Sequence, residues 1–192
     1  MIKKLLFLFN IFFIYLFSTS ISAADLQKNL INKLTATQTL TFDFNQKISD
    51  KVEIGNCFIK YPLLMKCNYQ DLKQKTIISN GKTVAIIKKK YKKIYNYPIK
   101  STPLFFILKK EKIIDLVRNN KPSKINSSSI EFLFIDKKNN EVKILFDKNS
   151  LEFKGWKTKD SYSNHVSFEI YNLKINNQIV DDFFKIPLEK DL

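Results

Sequence analysis

Few residues of this sequence could perform acid–base or covalent chemistry, and they do not form a recognisable catalytic set. His165 is the single histidine, so a Ser-His-Asp or Cys-His arrangement would depend on it. Its neighbours, SYSNHVSF, indicate the start of a strand with a polar outer face, where a lone surface histidine is the simpler interpretation. The acidic pair Asp181-Asp182 lies in a predicted turn, where solvation explains it. We therefore predict no catalytic residues and no enzyme activity, since an envelope enzyme would need His165 to be essential.

Metal and phosphate chemistry is equally poorly supported. One histidine and two cysteines cannot complete a standard tetrahedral zinc site. Gly55, Gly81 and Gly155 stand alone, so the chain lacks a glycine-rich phosphate loop. The sequence therefore predicts no metal site and no cofactor.

The two cysteines, Cys57 and Cys67, flank an unusually apolar bend in the segment IKYPLLMKCNY. Both lie five residues from Pro62, so a hairpin bent there places them opposite each other. Directly opposed residues of a non-hydrogen-bonded antiparallel pair have Cα atoms about 4.5 Å apart, within reach of a disulfide. Cysteines of exported proteins normally pair. We predict a disulfide; the alternative is two buried thiols packed as small hydrophobic groups.

The N-terminus has the pattern of an exported protein. Lys3 and Lys4 precede the apolar run LLFLFNIFFIYLF, and the small residues of STSISAAD follow, as in a secretory signal peptide. The run contains Asn10 and falls short of the roughly 20 residues that span a bilayer, although an uncleaved anchor is the alternative. We predict that residues 1–24 are a cleaved signal peptide and that residues 25–192 form one soluble domain. The first cysteine after the run is Cys57, far from the cleavage site, so we expect no lipid on the mature N-terminus.

The chain carries a formal net charge of +15, and lysine supplies nearly all of the positive charge because Arg118 is the only arginine. Nucleic-acid-binding proteins use arginine for bidentate contacts, so we predict no nucleic-acid partner. The richness in Lys, Asn, Ile and Phe resembles the background of an A/T-rich coding sequence. Weak attraction to anionic membrane surfaces is the functional alternative.

The elements that must position these residues are mostly short strands. One helix is predicted first, with Asp25 as N-cap and the apolar residues of LQKNLINKL on one stripe. From Thr39 the apolar period changes to two, and alternating or short apolar runs recur almost to the C-terminus. Asn80-Gly81 between two of these runs predicts a tight hairpin.

A second helix is predicted in STPLFFILKKEKIIDLV, with Thr102 as cap and Pro103 at its first position, followed by a polar loop. Many strands and two helices predict a mainly β, α+β domain with helices on one face of a strongly curved antiparallel sheet. A closed barrel is the alternative. An incomplete barrel with a helical cover better fits the 17 Phe and 8 Tyr of the chain.

The order of these motifs resembles the outer-membrane lipoprotein carrier protein (LolA) family. FDFNQ is similar to its aromatic-x-aromatic-x-Gln strand, and GNCFIKYPLLMKCNY to its Gly, alternating strand, Arg-Pro and apolar positions. IISNGKTVAII resembles its Ser-x-Gly-Lys strand pair, and YNYPIKSTPLFFIL its Thr-Pro-aliphatic helix. The segment from GWKTKD to DDFFKI resembles its closing strands and final Asp-x-x-Phe.

The resemblance implies an incomplete antiparallel β-barrel, or half-barrel, with a helical lid around an apolar cavity. It implies a monomeric periplasmic chaperone that shields the acyl chains of lipoproteins. Such a carrier takes lipoproteins from an inner-membrane ATP-driven releasing complex and passes them to an outer-membrane receptor. The alternative is a periplasmic lipid- or apolar-peptide-binding or sensor module of the same fold that does not ferry lipoproteins. The receptor shares the fold but is itself a lipoprotein, which the missing N-terminal cysteine argues against.

The same resemblance assigns residues to the cavity and its rim. Tyr61 stands where the family commonly has an arginine that reaches the lid and holds the empty cavity closed. A tyrosine hydroxyl offers one donor and no charge against five donors of a guanidinium, so lid closure is weaker here or another group performs it. Met65 and Lys66 correspond to an apolar and a basic position near the cavity mouth. The predicted lining residues are Phe42, Phe44, Ile59, Tyr61, Leu64, Met65, Leu104, Phe105 and Leu108.

Overall fold

Eleven strands form one antiparallel sheet in the computed structural model of the chain, which describes residues 23–135, 140–160 and 163–192. The strands are β1 (Thr39–Ile48), β2 (Lys51–Lys60), β3 (Leu64–Tyr69), β4 (Lys75–Asn80), β5 (Thr83–Lys88), β6 (Lys93–Pro98), β7 (Lys124–Ile125), β8 (Ser129–Ile135), β9 (Glu141–Asp147), β10 (Phe153–Lys159) and β11 (His165–Ile175). The helices are α1 (Ala23–Ala36), α2 (Leu104–Leu108) and α3 (Lys110–Asn119). The predicted signal peptide lies outside the described residues except for Ala23 and Ala24, which begin α1. No helix among these residues is long and apolar enough to cross a membrane.

The sheet is open, with the order β6-β5-β4-β3-β2-β1-β11-β10-β9-β8-β7. The chain builds one half from β1 to β6, crosses through α2 and α3, and returns so that β11 pairs with β1. The edge strands β6 and β7 do not meet, so the sheet is a half-barrel rather than a closed barrel. Together with its helices it confirms the predicted fold class.

The inner, concave face of the sheet carries the main core because every second side chain of its strands points under the helices. In β1, for example, Leu40, Phe42 and Phe44 are buried while their neighbours are less so. We call the buried residues of this face and of the helices the inner core. Its members include Leu30, Leu34, Leu40, Phe42, Phe44, Cys57, Ile59, Met65, Cys67, Leu108, Ile113, Val117, Phe132, Phe146, Trp156 and Phe168.

The predicted mid-chain helix is two helices, because the backbone at Lys109 leaves the helical region (φ −97°, ψ 87°) between α2 and α3. The prediction of Thr102 as its cap was wrong. Thr102 is extended, and its hydroxyl donates to the carbonyl of Ile99, a residue that precedes it, instead of to the helix. Asp25 likewise lies in the first turn of α1 and not at its cap, since the helix begins at Ala23.

A second, smaller core lies on the outer, convex face and was not predicted. Ile78, Ala85 and Ile87 of β4 and β5 form it, and we call it the outer core. Ile94, Ile186 and Leu192 pack against it, so the chain's own C-terminal segment covers this face. We call residues 176–192 the tail; it starts with a hydrogen bond from the Asn176 amide to the Thr39 carbonyl.

Candidate functional site

The floor of the inner core is a set of stacked aromatic rings. The Phe44 ring lies 4.6 Å from the Phe168 ring in a stacked arrangement and 4.9 Å from Tyr69 edge-on, measured between centroids. Phe168 stacks in turn on Trp156 at 3.9 Å. Gly55 lies opposite Phe44 on β2, and a Cβ there would lie 2.8 Å from Phe44 Cζ and collide with the Asn68 carbonyl. The glycine therefore makes room for the Phe44 ring.

The structure brings eight of the nine predicted lining residues to the inner core. Five are buried there and three are half-buried against it. Leu64 is the exception, because it pairs with Lys60 on β2 and shares its outer face. Lys66 also lies on the outer face, with Nζ 4.3 Å from the Phe183 ring centroid, so its assignment to a cavity mouth was wrong. The eight are Phe42, Phe44, Ile59, Tyr61, Met65, Leu104, Phe105 and Leu108.

Cys57 and Cys67 are joined by a disulfide, and they oppose each other in the β2–β3 register. Both are buried on the inner face, and Cys57 pairs with Phe42 on its other side. The bond therefore links two strands of the floor rather than the rim of an opening.

The apolar bend between β2 and β3 contacts the helical cover directly. The Leu63 amide donates to the Leu108 carbonyl at the end of α2 (2.9 Å), and the Ser79 hydroxyl donates to the Leu63 carbonyl (2.6 Å). The side chain of Leu63 packs against the inner core. The Tyr61–Pro62 peptide bond is cis. The bend is apolar because it docks on α2 instead of facing water.

Lys110, at the first position of α3, is a polar residue of the site that the sequence analysis did not single out. Its ammonium is buried and donates to the carbonyls of Thr35 (3.1 Å) and Thr37 (2.7 Å) at the end of α1. A cation is favourable there because the last carbonyls of a helix carry partial negative charge. The available signal was its spacing, since Lys110 lies three residues before Ile113 and seven before Val117, on the buried stripe of α3.

Tyr61 occupies the position that the resemblance gives to the lid-closing arginine, but its hydroxyl is not the group that ties the lid. Its backbone amide donates to the Gln38 carbonyl (2.9 Å), and its ring centroid lies 5.8 Å from Lys110 Nζ. Burial raises the pKa of the Tyr61 hydroxyl, and the charge of Glu111 raises it further. The charged link between the helices comes from Lys110 instead.

The other ends of α1 and α3 are also tied together, because the two helices pack antiparallel. The side-chain amide of Gln27 donates to the carbonyls of Val117 and Asn120, the latter at 2.9 Å. We call α1, α2 and α3 the cover. Lys110 and Gln27 tie α1 to α3 at the two ends of this pair. The Leu63–Leu108 bond attaches the cover to the sheet, as does Lys33 of α1, which donates to the Ser150 carbonyl (2.7 Å) and pairs with Glu152 (3.2 Å).

A polar cluster closes the inner face near the turn between β1 and β2. Glu53 is buried and accepts hydrogen bonds from Lys51 (2.7 Å) and Lys75 (2.6 Å). Burial alone would raise the pKa of Glu53, but the hydrogen bonds and charges of the two lysines outweigh it and lower this pKa. The hydroxyl of Tyr69 donates to Gln46, the glutamine of FDFNQ, at 2.6 Å.

Buried side chains of the cover and of the floor pack against each other in the inner core. A cavity of about 20 Å³ lies beside Tyr61 and the last turn of α1, with Leu34, Leu40, Phe153 and Leu173 in its wall. This is roughly the room that one water molecule needs. A ligand of many methylene groups therefore enters the inner core only if the cover moves.

A protein-family model matches most of this chain, and several solved structures are similar to it. A family model described as "Outer membrane lipoprotein carrier protein LolA" matches residues 35–187. No curated protein matches the sequence. A LolA superfamily protein from Nitrosomonas europaea is similar in structure, with 7% identity and a TM-score of 0.47 over 87% of this chain and 99% of that chain.

Two further structures have a similar fold. The lipoprotein LppX of Mycobacterium tuberculosis is 11% identical, with a TM-score of 0.47 over 84% of this chain and 100% of that chain. MucB, solved in the MucA/MucB complex of Pseudomonas aeruginosa, is 8% identical, with a TM-score of 0.45 over 87% of this chain and 62% of that chain.

Proposed function

Because the chain belongs to the outer membrane lipoprotein carrier protein family, we propose that it is a periplasmic chaperone for lipoproteins. It shields their acyl chains after an ATP-driven releasing complex frees them from the inner membrane, and it passes them to a receptor in the outer membrane. The family match over residues 35–187 carries this proposal. The family is one of carriers and not of enzymes.

The chemistry of the inner core supports acyl chains as the ligand. Binding an acyl chain needs apolar surface without directional polar contacts. Burial of one methylene group contributes about 0.8 kcal/mol, and the aromatic floor offers faces against which such groups can pack. An entering chain replaces contacts that cover and floor already make with each other. The two states therefore differ little in buried apolar surface, which favours release as well as uptake.

The attachment of the cover supports its movement. The Leu63–Leu108 bond contributes about 0.5–1.5 kcal/mol and the bonds of the Lys110 ammonium about 1.5–3 kcal/mol each. These energies are small beside those of the eleven-stranded sheet, so the cover can open while the floor stays intact. Lys110 then has the lid-closing role that the resemblance assigns to the arginine before the proline. It acts from the cover, whereas that arginine would act from the sheet.

The proposal is tested by release of a tagged lipoprotein from spheroplasts. The purified chain is expected to bring the lipoprotein into the supernatant as a one-to-one complex, as judged by size-exclusion chromatography. Val180→Ser provides a control, because Val180 is 73% exposed and lies in the tail, away from the inner core. This variant is expected to release as much lipoprotein as the unmodified chain.

Failure to release lipoprotein would count against ferrying. If the same preparation still bound a free fatty acid, a phospholipid or an apolar peptide, the chain would instead be a binding or sensor module of the same fold.

A further inference from the structure

The hairpin of β5 and β6 ends in a cluster of five lysines. They lie within and on both sides of a short 3₁₀ helix, Lys89–Tyr91, and we call them the hairpin lysines. The sequence has no Asp or Glu between Leu72 and Lys110, so the whole hairpin is free of acidic side chains. The hairpin lysines are Lys88, Lys89, Lys90, Lys92 and Lys93.

These lysines differ from many others in lacking counter-charges. Elsewhere Lys33 pairs with Glu152 and Lys154 with Asp147, for example. Within the described residues, none of the hairpin lysines forms an ion pair with a carboxylate. Glu189 of the tail is close by, where it accepts a hydrogen bond from the Ile94 amide. Burial lowers the pKa of Lys66, and the charge of Lys89 lowers it further.

Exposed aromatic rings are interleaved with this charge. Tyr91, at the tip, is 53% exposed, and Tyr95 and Tyr97 on the edge strand β6 are each 43% exposed. Lys88 Nζ lies 5.0 Å from the centroid of the Tyr95 ring. A tyrosine combines an apolar ring with a polar tip, and a lysine combines an apolar stem with a charge. Both therefore suit the boundary between lipid headgroups and acyl chains.

A neighbouring turn adds an apolar side chain at the same end of the sheet. The strands β3 to β6 are consecutive and antiparallel, so the β3–β4 turn and the β5–β6 tip lie at one end. Leu72, in the β3–β4 turn, is 90% exposed. The bend at Leu63, which docks on the cover, joins β2 to β3 and therefore lies at the opposite end.

We propose that this end of the sheet docks on an anionic lipid bilayer, with the hairpin lysines among the headgroup phosphates and Tyr91 and Leu72 in the interface. The lysines carry their charges on flexible stems along an exposed hairpin tip, without the fixed arginine forks that recognise a single rigid phosphate or carboxylate. A fluid anionic surface is the partner that such an arrangement fits. Docking in this orientation leaves the bend and the cover facing away from the bilayer. The inference does not depend on lipoprotein ferrying.

The test is sedimentation of the purified chain with vesicles of phosphatidylcholine alone or of phosphatidylcholine mixed with phosphatidylglycerol. Binding is expected only to the mixed vesicles and is expected to weaken as salt is added, because exposed charges are screened. Each hairpin lysine is expected to strengthen binding about five-fold, which corresponds to about 1 kcal/mol. Changing all five to Gln is therefore expected to weaken binding by at least about 100-fold.

A matched control changes the same number of charges elsewhere. Five lysines that are exposed and unpaired in the described structure lie away from the docking end, and their change to Gln is expected to weaken binding less than about five-fold. Leu72→Ser is expected to weaken binding about ten-fold, because one leucine is withdrawn from the interface. The control lysines are Lys82, Lys100, Lys121, Lys124 and Lys148.

Three results would overturn the proposal. They are no binding to the mixed vesicles at low salt, binding that persists equally on neutral vesicles, and equal losses in the hairpin and control variants. The last would mean that net charge alone attracts the chain. Binding of a free fatty acid by the hairpin variant is expected to be unchanged, so failure of docking can be distinguished from failure of the inner core.

Discussion

The two faces of β4 and β5 bury apolar side chains in different ways. Ile77 packs into the inner core, beneath a cover that a few polar contacts attach. Its neighbour Ile78 packs into the outer core, beneath the tail of the same chain. The inner core is extensive and its cover is separable, whereas the outer core is small and its cover is the C-terminus. This difference makes the inner core, and not the outer core, the proposed place of ligand exchange, because the inner core buries far more apolar side chains.

The most direct test of this difference is to truncate one buried phenylalanine to alanine on each face. Phe44 of the floor and Phe184 of the tail are both almost fully buried. A change from Phe to Ala in a core costs about 3–5 kcal/mol. Phe44→Ala is expected to lie near the upper value because rigid strands surround the cavity it leaves, and Phe184→Ala near the lower value because the tail can relax. Urea unfolding measures both free energies, and equal losses would mean that the two cores are equally constrained.

The disulfide tests whether the floor stays fixed while the cover moves. Replacing Cys57 and Cys67 together by Ala is expected to lower the free energy of unfolding by about 2–3 kcal/mol, because the unfolded chain regains the entropy of a small loop. Binding of an apolar fluorescent probe is expected to change less than two-fold. Thermal unfolding and probe titration are the measurements. A large gain in probe binding would show instead that the floor takes part in opening.

Lys110 and Lys60 are a matched pair of lysines for mutation, because Lys110 binds within the cover and Lys60 binds the tail. Lys60 donates to the Ile179 carbonyl (2.8 Å) and pairs with Asp181 on the outer face. Lys110→Met is expected to cost about 3 kcal/mol, since it breaks two bonds of a buried ammonium. It is expected to raise probe affinity about ten-fold by favouring the open cover.

Lys60→Met is the control for this prediction. It is expected to cost about 1 kcal/mol or less, because its partner carboxylate is exposed, and to leave probe affinity unchanged. If both variants raised probe affinity equally, general loosening of the fold would explain the effect, and opening of the cover would not.

The sequence was sufficient to predict the half-barrel because its strands alternate and its turns are recognisable. The opposition of Cys57 and Cys67 followed from their equal distance from Pro62. The outer core could not be predicted in the same way. Adjacent apolar residues such as Ile77 and Ile78 indicate burial on both faces of a strand. They do not indicate that the tail, which follows the last strand of the sheet, supplies the second layer.

The residues of the site also divide into those that the sequence could predict and those that it could not. Apolar floor residues such as Phe44 were predictable because a period of two fixes their face. Leu64 was placed on the wrong face, since an apolar residue beside a bend fits either side of a curved sheet. Lys110 was missed because a lysine in a helix normally extends into solvent, and its buried partners are carbonyls far away in the sequence.

The smallest expected effect is on acid unfolding, and it comes from the polar cluster around Glu53 on the inner face. The pKa of Glu53 is lowered in the folded chain, where Lys51 and Lys75 oppose the effect of burial. Stabilisation by Glu53 is therefore complete above the ordinary glutamate pKa of about 4.3 and is lost as the pH falls toward the lowered value. Glu53→Gln is expected to make the fall in unfolding free energy with acid shallower.

The two lysines sharpen this last prediction, because their side chains are 16% exposed in Lys75 and 65% exposed in Lys51. An ion pair that is screened from water has the greater effect on the pKa of its partner. Lys75→Met is therefore expected to reduce the loss of unfolding free energy in acid more than Lys51→Met does, because the folded pKa of Glu53 is then lowered less. Urea unfolding from pH 3 to pH 7 measures the order. The reverse order would mean that the exposed lysine, and not the buried contact, holds Glu53 ionised.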